Sequence, residues 1–272
     1  MKYGLKSISY TNPKIQTTLL SKESNSVSFS EDKINVIIGP NGSGKSTLIK
    51  DLATRFFCLD RGYTSLDRDI TERAYDGSFK KKWETWGSYL FMEDPKVFTS
   101  NCAAVYWHPG FKFGGWDMDT AAMMCGYDKE VKIRDKQIRN KSSGQGIYNQ
   151  LDYIFEVLGG ERGVTVTIPE NPFLTEYKEK LEAITPLFTD CHKNKTIVLL
   201  DEPEQSLDAF KEVYFWDRVL DVNTDNVQVV IATHSIYPLI NPKFEGKLNI
   251  IETVCDERIN VVDMFHRLYC CK

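Results

Sequence analysis

The stretch GPNGSGKST, from Gly39 to Thr47, carries the residue types that bind a phosphate chain. Gly42 and Gly44 permit backbone angles that aim successive N–H groups inward at phosphate oxygens. Lys45 is predicted to reach the β- and γ-phosphates of a nucleotide, and the Ser46 hydroxyl is predicted to ligate Mg²⁺. The predicted nucleotide-binding residues are Gly39, Pro40, Asn41, Gly42, Ser43, Gly44, Lys45, Ser46 and Thr47.

A second stretch, TIVLLDEP, is an apolar run that ends in two acids. Asp201 at its carboxyl end is predicted to hold the Mg²⁺ shell. Glu202 beside it is placed to orient and deprotonate an attacking water, the role of a general base. Two acids could also be a solvated strand end, but the phosphate-binding stretch upstream favours the catalytic interpretation.

A histidine follows another apolar run, in the stretch IATHS. A lone histidine is usually structural. Here His234 comes at the strand end where phosphates would lie, so the pattern favours a contact with the γ-phosphate.

These residues need a scaffold in which strands alternate with helices. Short apolar runs predict strands, and apolar positions at helical spacing predict helices. The predicted strands include Lys33–Gly39, Cys102–Trp107, Thr196–Pro203 and Val227–Ser235. The predicted helices are Ser46–Phe57 and Gly146–Gly160. Strands alternating with helices predict an α/β fold with a covered sheet.

Composition limits the class of protein. The chain has 272 residues, of which 42% are hydrophobic and 26% charged, with a net charge of −4. This predicts one folded domain over residues 1–272 and argues against electrostatic coating of nucleic acid. Seven cysteines without a C-x-x-C pair indicate reduced thiols. Without a signal peptide or a membrane-spanning run, the expected location is the cytoplasm.

The motifs GPNGSGKST, KSSGQ, VLLDEP, QSLD and ATHS, in this order, resemble those of ABC-type ATPases. They are similar to the Walker A, signature, Walker B, D-loop and H-loop of that family, and the resemblance spans Ile34 to Ser235. It implies a P-loop NTPase with a mostly parallel core sheet, an antiparallel N-terminal β part and a helical signature subdomain at about 58–160. It also implies ATP and Mg²⁺ as ligands and ATP hydrolysis as the activity.

The resemblance also assigns a use to the serine-glycine run before the second predicted helix. In such ATPases two subunits pack head to tail, and the signature of one caps the γ-phosphate held by the other. The residues that match this signature, and would act on the nucleotide of the other subunit (in trans), are Ser142, Ser143, Gly144 and Gln145. Asp208, in QSLD, would cross the dimer interface and couple the two sites. A plain helix N-cap is the alternative for the serines.

The sequence departs from the family pattern in two places. Lys141 replaces the usual leucine that begins the signature, and Ser143 replaces glycine. No glutamine occurs between Ser46 and Lys136, so the Q-loop glutamine is missing. His108 falls about where that glutamine would, and it is the candidate substitute, with a surface histidine as an equal alternative.

Three functions fit these residues. The first is a soluble ATPase whose homodimer switches a separate effector, such as a nuclease, in DNA repair or anti-phage defence. The second is the detached ATPase subunit of a membrane transporter, and the third is a module that holds ATP without hydrolysing it. Nucleic acid is a possible partner, since Asp128–Lys141 carries six basic residues against three acidic ones. A solvated helix face is the favoured explanation of that stretch.

Overall fold

The structure is a computed structural model that describes residues 2–9, 26–56, 58, 62–64, 102–109, 143–164, 166, 185–186 and 188–253. The strands are β1 (Ser7–Ser9), β2 (Ser26–Ser28), β3 (Ile34–Ile38), β4 (Ala104–Trp107), β5 (Thr196–Asp201), β6 (Val227–Ala232) and β7 (Leu248–Glu252). The α-helices are α1 (Lys45–Arg55), α2 (Ser143–Leu158), α3 (Ala209–Leu220) and the short α4 (Tyr237–Ile240). Single 3₁₀ turns span Cys191–Lys193, Pro203–Ser206 and Pro242–Phe244.

Five of the strands form one parallel sheet in the order β4-β5-β6-β3-β7. Strands β1 and β2 pair antiparallel in a separate small sheet. All residues of β3 and β6 are buried, as expected for strands covered on both faces. The predicted α/β fold, with a mostly parallel core and an antiparallel N-terminal part, is confirmed.

Side chains alternate between the two faces of this sheet. In β5, Ile197 and Leu199 belong to the apolar cluster that contains α1 and the N-terminal strands. Val198 and Leu200 belong to the opposite cluster, which contains the last residues of α2 and one face of α3. The sheet is therefore buried between two layers, and its loops at the carboxyl ends of the strands stay accessible.

The small sheet is fixed to the large one by buried amides. Gln228 is 1% exposed; its side-chain oxygen accepts from Leu5 N at 2.7 Å, and its nitrogen donates to Leu5 O and Ser30 O at 2.8 Å each. Asn35 similarly accepts from Ser30 N at 2.7 Å and donates to Val229 O at 3.0 Å. These bonds satisfy backbone groups that the short strands leave unpaired.

The predicted element boundaries shift by a few residues. Helix α1 begins one residue before its predicted start and ends at Arg55, and α2 begins at Ser143 rather than Gly146. Within the predicted run KLNIIETV, Leu248–Glu252 form β7, which pairs in parallel with β3. The sequence also predicts a strand in the run RINVVDMF, at 258–265, as the partner of this one, and those residues lie outside the described ranges. Most of the predicted subdomain at 58–160 also lies outside them, so that division stays a prediction.

Among the helices that the structure describes, none combines the length and apolar character needed to cross a membrane.

Replacing Gln228 with Leu is expected to destabilise the fold. The leucine would leave Leu5 N and Leu5 O without this partner and remove one of the two side-chain donors to Ser30 O, so the free energy of unfolding should fall by about 1–3 kcal/mol. Urea denaturation measures this change. Asn249→Ala is the control, because it removes a hydrogen bond to Asn35 at a position that is only half-buried. Equal, small losses for both variants would contradict the assigned anchor.

Candidate functional site

The loop between β3 and α1 has the backbone shape that its glycines predict. Gly42 and Gly44 have φ angles of 77° and 92°, in the left-handed region that favours glycine. A Cβ added at Gly42 would meet no atom within 4 Å, so the backbone is open on that side. The helix that follows begins at Lys45 and points its N-terminus at the loop, which favours an anion there.

Lys45 lies inside this loop. Its Nζ donates to Gly39 O at 3.0 Å and Pro40 O at 3.2 Å, and the residue is only 3% exposed. Burial lowers the pKa of the ammonium, while the neighbouring carboxylates of Glu202 and Asp201 oppose that shift. The loop thus carries a positive charge that faces acids rather than bulk water.

Thr253, the residue after β7, reaches the same loop. The Thr253 hydroxyl donates to Ile38 O at 3.0 Å and contacts the Ser43 hydroxyl at 2.5 Å. Because its proton is used by Ile38, Thr253 accepts from Ser43. A Cβ at Gly39 would collide with this threonine. The loop is therefore held from the side by a residue that the motif does not include.

Asp201 ends β5 beside the start of α1. The Ser46 hydroxyl hydrogen-bonds to its carboxylate. Burial raises the pKa of Asp201, and the Ser46 bond opposes the shift. Among the described residues the second oxygen, Oδ1, is buried without a hydrogen-bond partner. A hydroxyl and a buried carboxylate oxygen are the hard oxygen ligands that Mg²⁺ prefers, so these residues fit the ion that the sequence predicts.

In the ranges described, no group of three or more His, Cys, Asp and Glu side chains is arranged to hold a metal. Mg²⁺ commonly binds through one or two protein oxygens together with substrate phosphates. Ser46 and Asp201 match that mode of binding.

Glu202 and His234 meet at the same edge of the sheet. His234 Nε2 lies 3.2 Å from Glu202 Oε1, and Gln205 Nε2 donates to Glu202 Oε2. Glu202 N donates to Ala232 O at 2.8 Å, which fixes the turn after β5. Glu202 has φ 50° and ψ 53°, a left-handed conformation that costs a non-glycine residue about 1–3 kcal/mol. The two side chains that the sequence assigns to the attacking water and the γ-phosphate are thus brought together.

His108 follows β4, whose Trp107 is in register with Leu200 of β5. It therefore lies near Asp201 at the carboxyl edge of the sheet. Burial, with a contribution from Lys50, lowers the pKa of His108 to about 4. The imidazole is neutral at physiological pH and half-buried rather than a surface side chain. This placement is compatible with the predicted substitute for the Q-loop glutamine.

The signature and D-loop residues are described only in part. Ser142 lies outside the described residues, and Ser143, Gly144 and Gln145 form the first turn of α2. Asp208 is the N-cap of α3: its side chain accepts from Lys211 N at 3.0 Å and pairs with Lys211 Nζ at 3.0 Å. Within the chain, Asp208 therefore has a local helix-capping role.

Two residues of the site were missed from the sequence. Glu204 is a third acid within DEPE, and its Oε1 accepts from the backbone N–H of His234 at 2.7 Å. The acidic run itself was the available signal. Thr253 carries no sequence signal, since its contact with the loop depends on the pairing of β7 with β3.

Comparison with known proteins finds that this chain is similar to one family. The family model described as "ABC transporter" matches residues 23–156. A putative ABC transporter ATP-binding protein of Clostridium acetobutylicum is 24% identical over 211 residues, which cover 76% of this chain and 73% of that protein. One of the same description from Methanosarcina acetivorans is 24% identical over 241 residues, 86% of this chain and 74% of that protein.

A larger protein also aligns with nearly the whole chain. ABC transporter B family member 1 of Dictyostelium discoideum is 23% identical over 270 residues, 97% of this chain but 26% of its own length. The chain is therefore similar both to separate ATP-binding proteins and to a segment of a longer transporter.

Thr253→Val should weaken ATP binding while Thr253→Ser preserves it. Valine keeps the shape but cannot accept from Ser43, so the loop loses a hydrogen bond worth about 1 kcal/mol and the Kd rises roughly fivefold. Isothermal titration calorimetry with Mg·ATP measures the effect. An unchanged Kd for the valine variant would show that Thr253 does not support the loop.

Proposed function

Because the chain belongs to the ABC-type ATPases, we propose that it binds Mg·ATP at the carboxyl edge of the sheet and hydrolyses it. The single observation that carries this proposal is the convergence there of Lys45, the Ser46–Asp201 pair and the Glu202–His234 contact at 3.2 Å. A positive group for phosphate, oxygen ligands for a cation and a carboxylate for water are what phosphoryl transfer to water requires.

In the proposed reaction each side chain has one task. The loop N–H groups and Lys45 bind the β- and γ-phosphates and keep the triphosphate in place. Mg²⁺, held by Ser46 and Asp201 together with the phosphates, would supply charge neutralisation. Glu202 accepts a proton from water as the water oxygen attacks the γ-phosphorus and ADP leaves, and His234, beside Glu202, donates to a γ-phosphate oxygen.

We further propose that the active assembly is a head-to-tail homodimer with ATP between the copies. Helix α2 begins in the signature residues, and the first N–H groups of a helix have no partner within it. Such a helix start suits the γ-phosphate of a second copy. Phe210, two residues after Asp208, is 89% exposed and offers an apolar contact beside the proposed interface.

The dimer is proposed to switch a separate effector, such as a nuclease, in DNA repair or anti-phage defence. The missing Q-loop glutamine supports this, because that loop normally meets the membrane partner. A transporter ATPase subunit is the second candidate, and it is favoured by the similarity to two putative ABC transporter ATP-binding proteins. An ATP-binding module without hydrolysis is separated from both by a phosphate-release assay.

Glu202→Gln is expected to keep ATP binding and lose hydrolysis, because the amide cannot accept the proton from water. The rate should fall at least about 100-fold, the contribution expected of a general base. ATP should then hold the variant as a dimer, measured by light scattering beside phosphate release. Glu245→Gln, at an exposed position after the last 3₁₀ turn, is the control. Normal hydrolysis by the Glu202 variant would refute the assigned base.

The trapped dimer also identifies the partner. A nuclease or DNA that co-purifies with Glu202→Gln in ATP and Mg²⁺ supports the switch. A protein with several membrane spans supports the transporter subunit and ends the effector proposal.

Ser142→Arg in the Glu202→Gln background should spare ATP binding and abolish the dimer. The arginine is too large for the approach of a partner's triphosphate, while the loop of its own copy is untouched. Calorimetry and light scattering measure the two quantities separately, and Ser142→Ala, which adds no bulk, is the control. An ATP-dependent dimer that persists with arginine would contradict the composite site.

A further inference from the structure

Glu204 is an acid that the proposed reaction does not use. It lies in the 3₁₀ turn after β5, and its carboxylate is largely buried beside two other acids, Asp201 and Glu202. Oε1 accepts from His234 N at 2.7 Å, and among the described residues Oε2 is buried without a partner. A buried carboxylate is costly unless its bonds serve the structure or the site.

The bond from His234 completes a closed loop of contacts. Glu202 and Glu204 are joined through Pro203, and Glu204 holds the His234 backbone. The His234 imidazole in turn reaches Glu202 Oε1 at 3.2 Å. The turn after β5 and the turn after β6 are therefore fastened to each other by both the backbone and the side chain of His234.

The segment after His234 is held by a separate set of bonds. Ser235 Oγ donates to Glu212 Oε1 of α3 at 2.5 Å, and Ser235 N donates to Thr233 Oγ1 at 2.9 Å. These bonds fix the residues on either side of His234, but none of them involves the backbone N–H of His234. Glu204 supplies that constraint.

We propose that Glu204 is a positioning residue that holds the His234 backbone and thereby sets the contact between His234 and Glu202. The inference rests on the proposed function, in which these two side chains act on the water and the γ-phosphate. Glu204 touches neither substrate nor reacting atoms in this scheme. Removing its acceptor would free His234 to turn away from Glu202 while leaving the phosphate loop intact.

Two variants of matched size separate an acceptor from mere volume. Glu204→Gln keeps an oxygen that can accept from His234 N, and Glu204→Met fills the same space without one. We expect the methionine variant to lose about tenfold in kcat and the glutamine variant to stay within about threefold of the parent, with KM for ATP little changed in both. If methionine prevents folding, as seen by circular dichroism, Glu204→Ala takes its place.

A double-mutant cycle with His234→Ala tests whether Glu204 acts through His234. In the Glu204→Met background, His234→Ala should lower kcat by less than a further factor of about three, because both changes remove the same contact. Losses that multiply independently would overturn the inference, as would a methionine variant as fast as the parent. If Glu204→Gln both raised KM and lowered kcat, Glu204 would have a general structural role, and the inference would again be overturned.

A second measurement does not depend on hydrolysis. The chain has four histidines, so ¹⁵N-histidine labelling gives four backbone amide signals. Hydrogen exchange at His234 should quicken at least about tenfold in the methionine variant and stay protected with glutamine. Unchanged exchange with methionine overturns the inference. A parent protein that hydrolyses no ATP but shows this exchange pattern would reject the proposed function and leave the Glu204 contact established.

Discussion

The parallel pairing of β5, β6 and β3 is the constraint on which the site depends. In this register Asp201 faces Ala232, and Ala232 faces Ile37. The residues that follow these strands therefore emerge side by side: Glu202 after β5, His234 after β6 and the glycine loop after β3. A slip of one residue in any pair would exchange the side chains that pack against the two covering layers, so the packing of the sheet also fixes the site.

The edge formed in this way combines charges that are costly to bury alone. Lys45 is surrounded by the carbonyls of its own loop and by acids, and the Asp201 carboxylate is bonded to Ser46. The left-handed conformation of Glu202 adds local backbone strain at the same place. Charge and strain concentrated at the end of a well-packed sheet are typical of a site kept for chemistry rather than stability.

The local parts of this arrangement can be predicted from the sequence, whereas the long-range contacts cannot. The sequence predicts the glycine loop, Asp201, Glu202 and His234, because each comes within a few residues of the end of an apolar strand. It does not predict the role of Thr253, since this residue contacts Ser43, 210 positions away, only through the pairing of β7 with β3. Glu204 was visible as an acid, but its hydrogen bond to His234 spans two separate turns. The start of α2 was predicted three residues too late, because Ser143, Gly144 and Gln145 of the signature belong to the helix itself.

In the proposed dimer, each triphosphate is bound by the glycine loop of one copy and the signature helix of another. Mixing two disabled proteins tests it most directly, with Glu202→Gln in both to prevent turnover. Lys45→Ala removes the loop's phosphate ligand and Ser142→Arg obstructs the signature, so neither protein should dimerise alone with ATP. Light scattering is expected to detect an ATP-dependent heterodimer when they are mixed, because one complete site forms between the intact loop and the intact signature. No association on mixing, under conditions where the Glu202→Gln parent dimerises, would contradict it.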